Sequence, residues 1–289
     1  MDESPIKENY TSSKILINDL IRLTRSDQYI FRGISRRSEL NPSICRKYDR
    51  ETQTLVNLKD QEFALLHAFR QQASNLLSGT METLDYVACA QHYGIPTRLI
   101  DWTYNPFIAL YFALAENKQP DNGEYELFVL PLREQIIIHR CYSQRKEADP
   151  EFIEEYAGFL NQLRDKAQFL SLVQQRNVAL NELNIEADDP QPQGLIIYNG
   201  SSSNARLIAQ AGLFSIPSSI EGNEAADEIR RSARCISIRL SDKERRETLG
   251  FLDNMGYNKQ RLFPDLQNLC DSIVAQALQK QAKIQWNLL

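Results

Sequence analysis

The chain has 289 residues and a formal net charge of −5, with 42% hydrophobic and 25% charged residues. These values describe a globular chain of one large domain or two small ones, long enough to bury a core. The longest apolar run, Pro106 to Ala115, falls short of the roughly 20 residues that span a bilayer. The acidic balance disfavours broad contact with a phosphate backbone but leaves room for a local basic groove.

The opening MDESPIKENY is polar, so no secretory leader is expected. Five cysteines, an odd number with no CxxC pair, argue against a disulfide framework or a structural zinc site and fit a reducing cytoplasm. His67, His92 and His139 form no HExxH or HxxxH pair, so no metal is expected. Glycine is scarce, and neither GxGxxG nor GxxxxGK[ST] occurs, which sets aside Rossmann and P-loop chemistry.

In chain order, residues 13–25 read as an amphipathic helix with Ile15, Leu16, Leu20 and Leu23 near one face. Residues 28–32 read as a strand closed by Gly33, with Tyr29 and Phe31 on one face and Ile30 and Arg32 on the other. The stretch 51–77 starts polar and turns helical, and 81–93 is a helix ended by Gly94. An irregular segment, 95–101, leads to Trp102. Asn105 and Pro106 suit the N-cap and N1 of a helix that is apolar all round and therefore central.

Strands are expected at 125–131 and 135–140, then a long helix over 151–177. Strands follow at 194–200 and 212–217, while the charged residues 221–232 read as a solvated loop. Residues 234–240 alternate, with Ile236, Ile238 and Leu240 on one face. Ser241 and Glu244 form a capping box for the next helix, and a clean apolar stripe runs from Leu266 to Leu278. The sum is an α+β fold: a mixed sheet core with several flanking helices.

Three places concentrate chemistry. Arg32, at a strand end before a glycine, can grip a phosphate or carboxylate with two parallel bonds, or it can be a surface arginine paired with an acid. The run 91–103 compresses His92, Tyr93, Thr97, Arg98, Asp101 and Trp102 into one connection between rigid elements. Within it Arg98 and Asp101 either pair with each other or face a ligand. His92 is either a buried, satisfied histidine or an acid–base group, and Trp102 is either core or a stacking platform. Gln210, ahead of a glycine and a strand, either bonds a ligand or caps local backbone.

Taken together, these segments resemble the FRG domain family. The resemblance rests on Phe31-Arg32-Gly33, Leu40-Asn41-Pro42-Ser43, Glu62 ahead of Phe69, and His92-Tyr93-Gly94 followed by Pro96-Thr97-Arg98-Leu99. It continues through Asp101-Trp102-Thr103, Asn105-Pro106, Ala109–Ala113, Gln210–Phe214 and Leu262–Leu266. Ile100 stands where leucine is usual. The resemblance runs over about residues 13–278 and implies one domain over 1–289, with a helical insertion at about 141–193 that carries little family signature. It also implies a bacterial or phage origin and a toxin or defence role.

A second, partial similarity is to ADP-ribosyltransferases whose first strand ends in aromatic-Arg-Gly. It implies that Arg32 holds the phosphates or ribose of NAD, with NAD as substrate and no metal. No STS motif is present, and Gln210 stands where an ExE glutamate is expected, so the acid comes from Asp101, Glu62 or His92. On this reading the ligand-binding set is Arg32, Gly33, Tyr93, Thr97, Arg98, Trp102 and Gln210. The expected partners are a small-molecule nucleotide and a macromolecular acceptor, with neither a membrane nor nucleic acid favoured. The competing reading is a non-catalytic nucleotide- or protein-binding sensor.

Overall fold

The computed structural model describes residues 6–24, 29–35, 37–48, 56–73, 77, 83–115, 124–132, 135–139, 157–158, 160, 195–200 and 205–265. Among them the strands are β1 (Asn9–Tyr10), β2 (Tyr29–Ile34), β3 (Lys47–Tyr48), β4 (Val56–Asn57) and β5 (Ile100–Thr103). The later ones are β6 (Tyr125–Pro131), β7 (Ile136–His139), β8 (Ile196–Asn199), β9 (Gly212–Ile216) and β10 (Arg234–Ile238). The helices are α1 (Ser13–Leu23), α2 (Glu62–Ala73), α3 (Thr83–His92) and α4 (Pro106–Ala115). They continue with α5 (Ala205–Ala209), α6 (Glu224–Ser232), α7 (Asp242–Asn254) and α8 (Lys259–Leu262).

Eight strands form one sheet in the order β1-β10-β6-β2-β5-β9-β8-β7, and β3 pairs with β4 separately. From β10 to β8 every pairing is antiparallel. The outermost strands, β1 and β7, are added parallel to their neighbours, which makes the sheet mixed and the fold α+β. None of the described helices is long and apolar enough to cross a membrane.

Both faces of the sheet are covered. Ile30, Trp102, Phe128, Ile197 and Leu213 meet Ala225, Ala226 and Ile229 of α6. On the other side, Phe31, Leu127, Val129 and Ile236 pack with residues of α1, α4 and α7. There too, Tyr198, Phe214 and Ile216 pack with Leu66 of α2 and Val87, Ala88 and Ala90 of α3. The alternation expected of β2 holds, since Phe31 and Ile30 enter different clusters.

Helix α4 is the central pillar. Ile108, Ala109, Leu110, Ala113 and Leu114 are buried, and Asn105 Oδ1 accepts the Phe107 N–H at 2.9 Å as an N-cap. It lies so close to β2 that a Cβ on Gly33 would sit 1.8 Å from the Ala109 carbonyl oxygen. Only a residue without a side chain allows that approach.

Three expectations change, the first being the irregular segment expected over 95–101, where β5 already begins at Ile100 and pairs with β9. Residues 221–232 are not a solvated loop, because 224–232 form α6. Ala225, Ala226 and Ile229 fall on one face and are buried, while the charges of Glu224, Asp227 and Arg231 stay outside. The first helix ends at Leu23. The insertion at 141–193, the helix over 151–177 and the stripe 266–278 lie outside the described residues, apart from Ala157, Gly158 and Leu160, which are helical.

Candidate functional site

Helix α3 ends abruptly and aims the connection that follows it. Gly94 has φ +95°, the Ile95 N–H donates to the Ala90 carbonyl, and the Gly94 N–H donates to the Gln91 carbonyl. This is a Schellman closure, with Ile95 packed against the apolar cluster beside α3. It leaves His92 as the last helical residue.

The loop from 95 to 99 is held by two clamps. Ser43 Oγ donates to the Thr97 carbonyl at 3.1 Å and accepts the Thr97 N–H at 3.0 Å. Buried Glu62, the first residue of α2, accepts from Arg98 Nε at 2.9 Å and from the Arg98 backbone N–H at 3.1 Å. Arg98 therefore pairs with Glu62, not with Asp101, and both side chains are turned into the protein.

Thr97, fully buried, relays this order toward Asp101. Its hydroxyl accepts the Leu99 N–H at 3.1 Å and donates to Gln91 Oε1. Gln91 Nε2 in turn donates to Asp101 Oδ1 at 2.9 Å. An exposed carboxylate on β5 is thus oriented by a chain of bonds that begins in the loop.

Beside this network lies a cavity of about 280 Å³ lined by Arg32, Arg46, His92, Asp101, Arg206 and Gln210. Ala88, Ile95, Leu99, Leu207 and Phe214 supply apolar wall. Three arginines face one carboxylate here, so the cavity is cationic in a chain whose net charge is −5.

Strands β2 and β5 share one paired position, Phe31 with Thr103. One residue on, Arg32 Nη1 donates to the Asp101 carbonyl at 2.6 Å, and Nη2 donates to the Glu39 carbonyl at 2.6 Å. Burial lowers the Arg32 guanidinium to about 10, an effect that Asp101 opposes and Arg46 reinforces. Arg206, on α5, lies over the Phe263 ring at 4.5 Å and donates to the His92 carbonyl at 3.4 Å. Burial lowers the His92 imidazole, and the nearby Arg206 cation adds to the shift while Asp265 opposes it.

On the far wall, Gln210 Nε2 donates to the Leu262 carbonyl at 3.0 Å, and the Gln210 carbonyl accepts from Thr103 Oγ1 at 2.6 Å. The next residue, Ala211, has φ +44°, a left-handed conformation that a side chain adopts at a cost. That turn seats Gln210 at the head of β9.

Of the residues singled out from sequence, Arg32, His92, Asp101 and Gln210 come together in the cavity. The others do not line it. Glu62 and Arg98 are locked to each other, and Thr97 is a buried relay. Gly33 is the contact point for α4. Trp102 is core, its Nε1 donating to Ser215 Oγ at 2.9 Å. Tyr93 is 66% exposed, with its ring 4.8 Å from that of His92. Arg46 and Arg206 were not singled out as site residues, because neither stands in a periodic or charge-patterned segment.

The fold and site define an α+β protein with an arginine-lined cavity at the junction of β2, β5 and α3. Residues 27–122 match the FRG domain. The match runs from β2 past the end of α4, and holds Arg32, Arg46, His92 and Asp101. No curated protein and no solved structure matches the chain.

Proposed function

We propose that this chain is a bacterial or phage effector that acts on NAD as an ADP-ribosyltransferase-like enzyme. The observation that carries the reading is the meeting of Arg32, His92, Asp101 and Gln210, from separate elements, in one cationic cavity. At about 280 Å³ the cavity is at the small end of ligand pockets, roughly 300–1,000 Å³. It encloses part of a dinucleotide and leaves the rest outside.

In this mechanism the guanidinium of Arg32 binds the phosphates and Gln210 bonds a ribose hydroxyl. The bond between ribose C1′ and the nicotinamide nitrogen breaks, with the electron pair leaving on nicotinamide. The Asp101 carboxylate stabilises the cation that develops on the sugar. A water or acceptor oxygen then bonds to C1′, and its proton passes to His92, whose lowered basicity keeps it neutral and able to accept.

A specific observation favours the second reading, a nucleotide-binding sensor. Glu62 is committed to Arg98, which leaves Asp101 as the acidic side chain on the cavity wall. One experiment separates the two. The protein is incubated with NAD while nicotinamide release is followed by chromatography and binding by calorimetry. Release that is lost in Asp101→Asn supports the enzyme. Binding without release supports the sensor, and no binding removes both.

A further inference from the structure

We infer that Arg32 and Arg46 together form a diphosphate clamp, with Arg46 the second binding residue of the cavity. The inference rests on reading the cavity as a nucleotide site and assigns which residues take the phosphates. Arg46 follows the 3-10 turn Ser43–Cys45, in a segment that Thr97 holds by its bonds to Ser43 and Ile44.

The two guanidiniums converge on a single atom. Arg32 Nη2 donates to the Glu39 carbonyl oxygen at 2.6 Å, and Arg46 Nη2 donates to the same oxygen at 3.3 Å. Two cations are thus brought together by a neutral carbonyl. Each also keeps a buried Nε–H with no hydrogen-bond acceptor, and both residues line the cavity. Buried donors without partners are rare in native proteins because each forfeits its hydration. Two such donors on adjacent cations mark a place that an anion completes.

The orphaned Nε–H groups single out Arg32 and Arg46 among the arginines of the lining. Arg206 lies over Phe263 and bonds the His92 carbonyl, and Asp101 carries negative charge. The anion therefore goes to Arg32 and Arg46, whose Nε–H groups have no acceptor. Two forks, each able to take its own phosphate oxygens, match the two linked phosphates and two negative charges of a dinucleotide bridge. They match a single terminal phosphate less well.

The test uses inorganic pyrophosphate and inorganic phosphate as probes on the full chain in metal-free buffer, read by calorimetry and thermal shift. Pyrophosphate should bind more tightly than phosphate, more weakly as salt rises, and should raise the melting temperature. Arg46→Gln removes the charge and shortens the side chain, and should weaken pyrophosphate binding by about tenfold or more. Exposed Arg246→Gln on α7 should bind as the parent does.

Equal affinity for phosphate and pyrophosphate, no pyrophosphate binding by the parent, or unchanged binding in Arg46→Gln would each overturn the clamp. Pyrophosphate binding with no NAD cleavage supports the clamp and removes the enzymatic reading. NAD cleavage without pyrophosphate binding does the reverse.

Discussion

The Glu62 carboxylate holds Arg98 twice over, accepting from its guanidinium and from its own backbone N–H. Glu62 is buried and Arg98 is partly buried, so removing one partner leaves the other charge largely shielded from water. Glu62→Ala should lower stability by about 3–5 kcal/mol, as breaking buried ion pairs does. Asp101→Asn, on an exposed side chain, should change stability by less than about 0.5 kcal/mol. Urea unfolding of both variants checks the contrast, and equal losses would refute the division between a structural and a cavity-facing acid.

Gly33→Ala is expected to abolish folding. The added methyl would stand 1.8 Å from a backbone oxygen of α4, which cannot swing aside as a side chain can. Overpacking usually costs about 1–3 kcal/mol, and here the obstacle is main chain in the centre of the core, so the cost should exceed that range. Circular dichroism and sedimentation of the expressed variant decide the matter.

Arg32→Lys should weaken both the fold and the ligand site. One ammonium cannot reach the Asp101 and Glu39 carbonyls together, as the two Nη groups do. The loss of one such charged hydrogen bond is worth about 1.5–3 kcal/mol. A fall in melting temperature together with at least about tenfold weaker NAD binding is expected. An unchanged melting temperature would mean that the two carbonyl bonds carry no stability.

Burial gives His92 a lower proton affinity in the folded chain than its ordinary value of 6.5. Below pH 6.5 the unfolded chain takes up a proton that the folded chain still refuses, so stability falls as pH drops from that value toward the folded one. His92→Gln should flatten this part of the profile. Melting temperatures of parent and variant between pH 5 and about 7.5 measure it, and parallel curves would show that other groups set the slope.

The devices legible in the sequence are short-range ones. Gly94, Asn105 with Pro106, and Ser241 with Glu244 each act within a few residues, and each stands where its local chemistry puts it. Most sheet strands were legible too, but β1 and β5 were not: β1 is two residues long, and 95–101 reads as irregular although β5 begins at Ile100. Nor was the partner of Arg98. Asp101 is three residues away, whereas Glu62 is 36 away and meets it only when α2 packs. Nothing in spacing records that encounter. In α6 the buried residues are two alanines, Glu228 and Ile229, too weak an apolar signal to stand out among its charges. Arg46 belongs to a segment with no period, and its importance comes entirely from what folding sets beside it.

The sheet order carries a consequence for how the protein is made. β5 lies between β2 and β9, and β9 follows it only after residue 211. Arg32, Arg46 and Asp101 leave the ribosome early, but Arg206 and Gln210 emerge more than a hundred residues later. A growing chain therefore carries half a cavity, with a sheet edge at β5 still unpaired and in need of cover. Ribosome-bound chains stopped before residue 205 lack the Arg206 and Gln210 part of the lining and should bind NAD less tightly than the full chain, which pull-down of stalled complexes can test. The cavity in this way stays open along one side until β9 has joined β5.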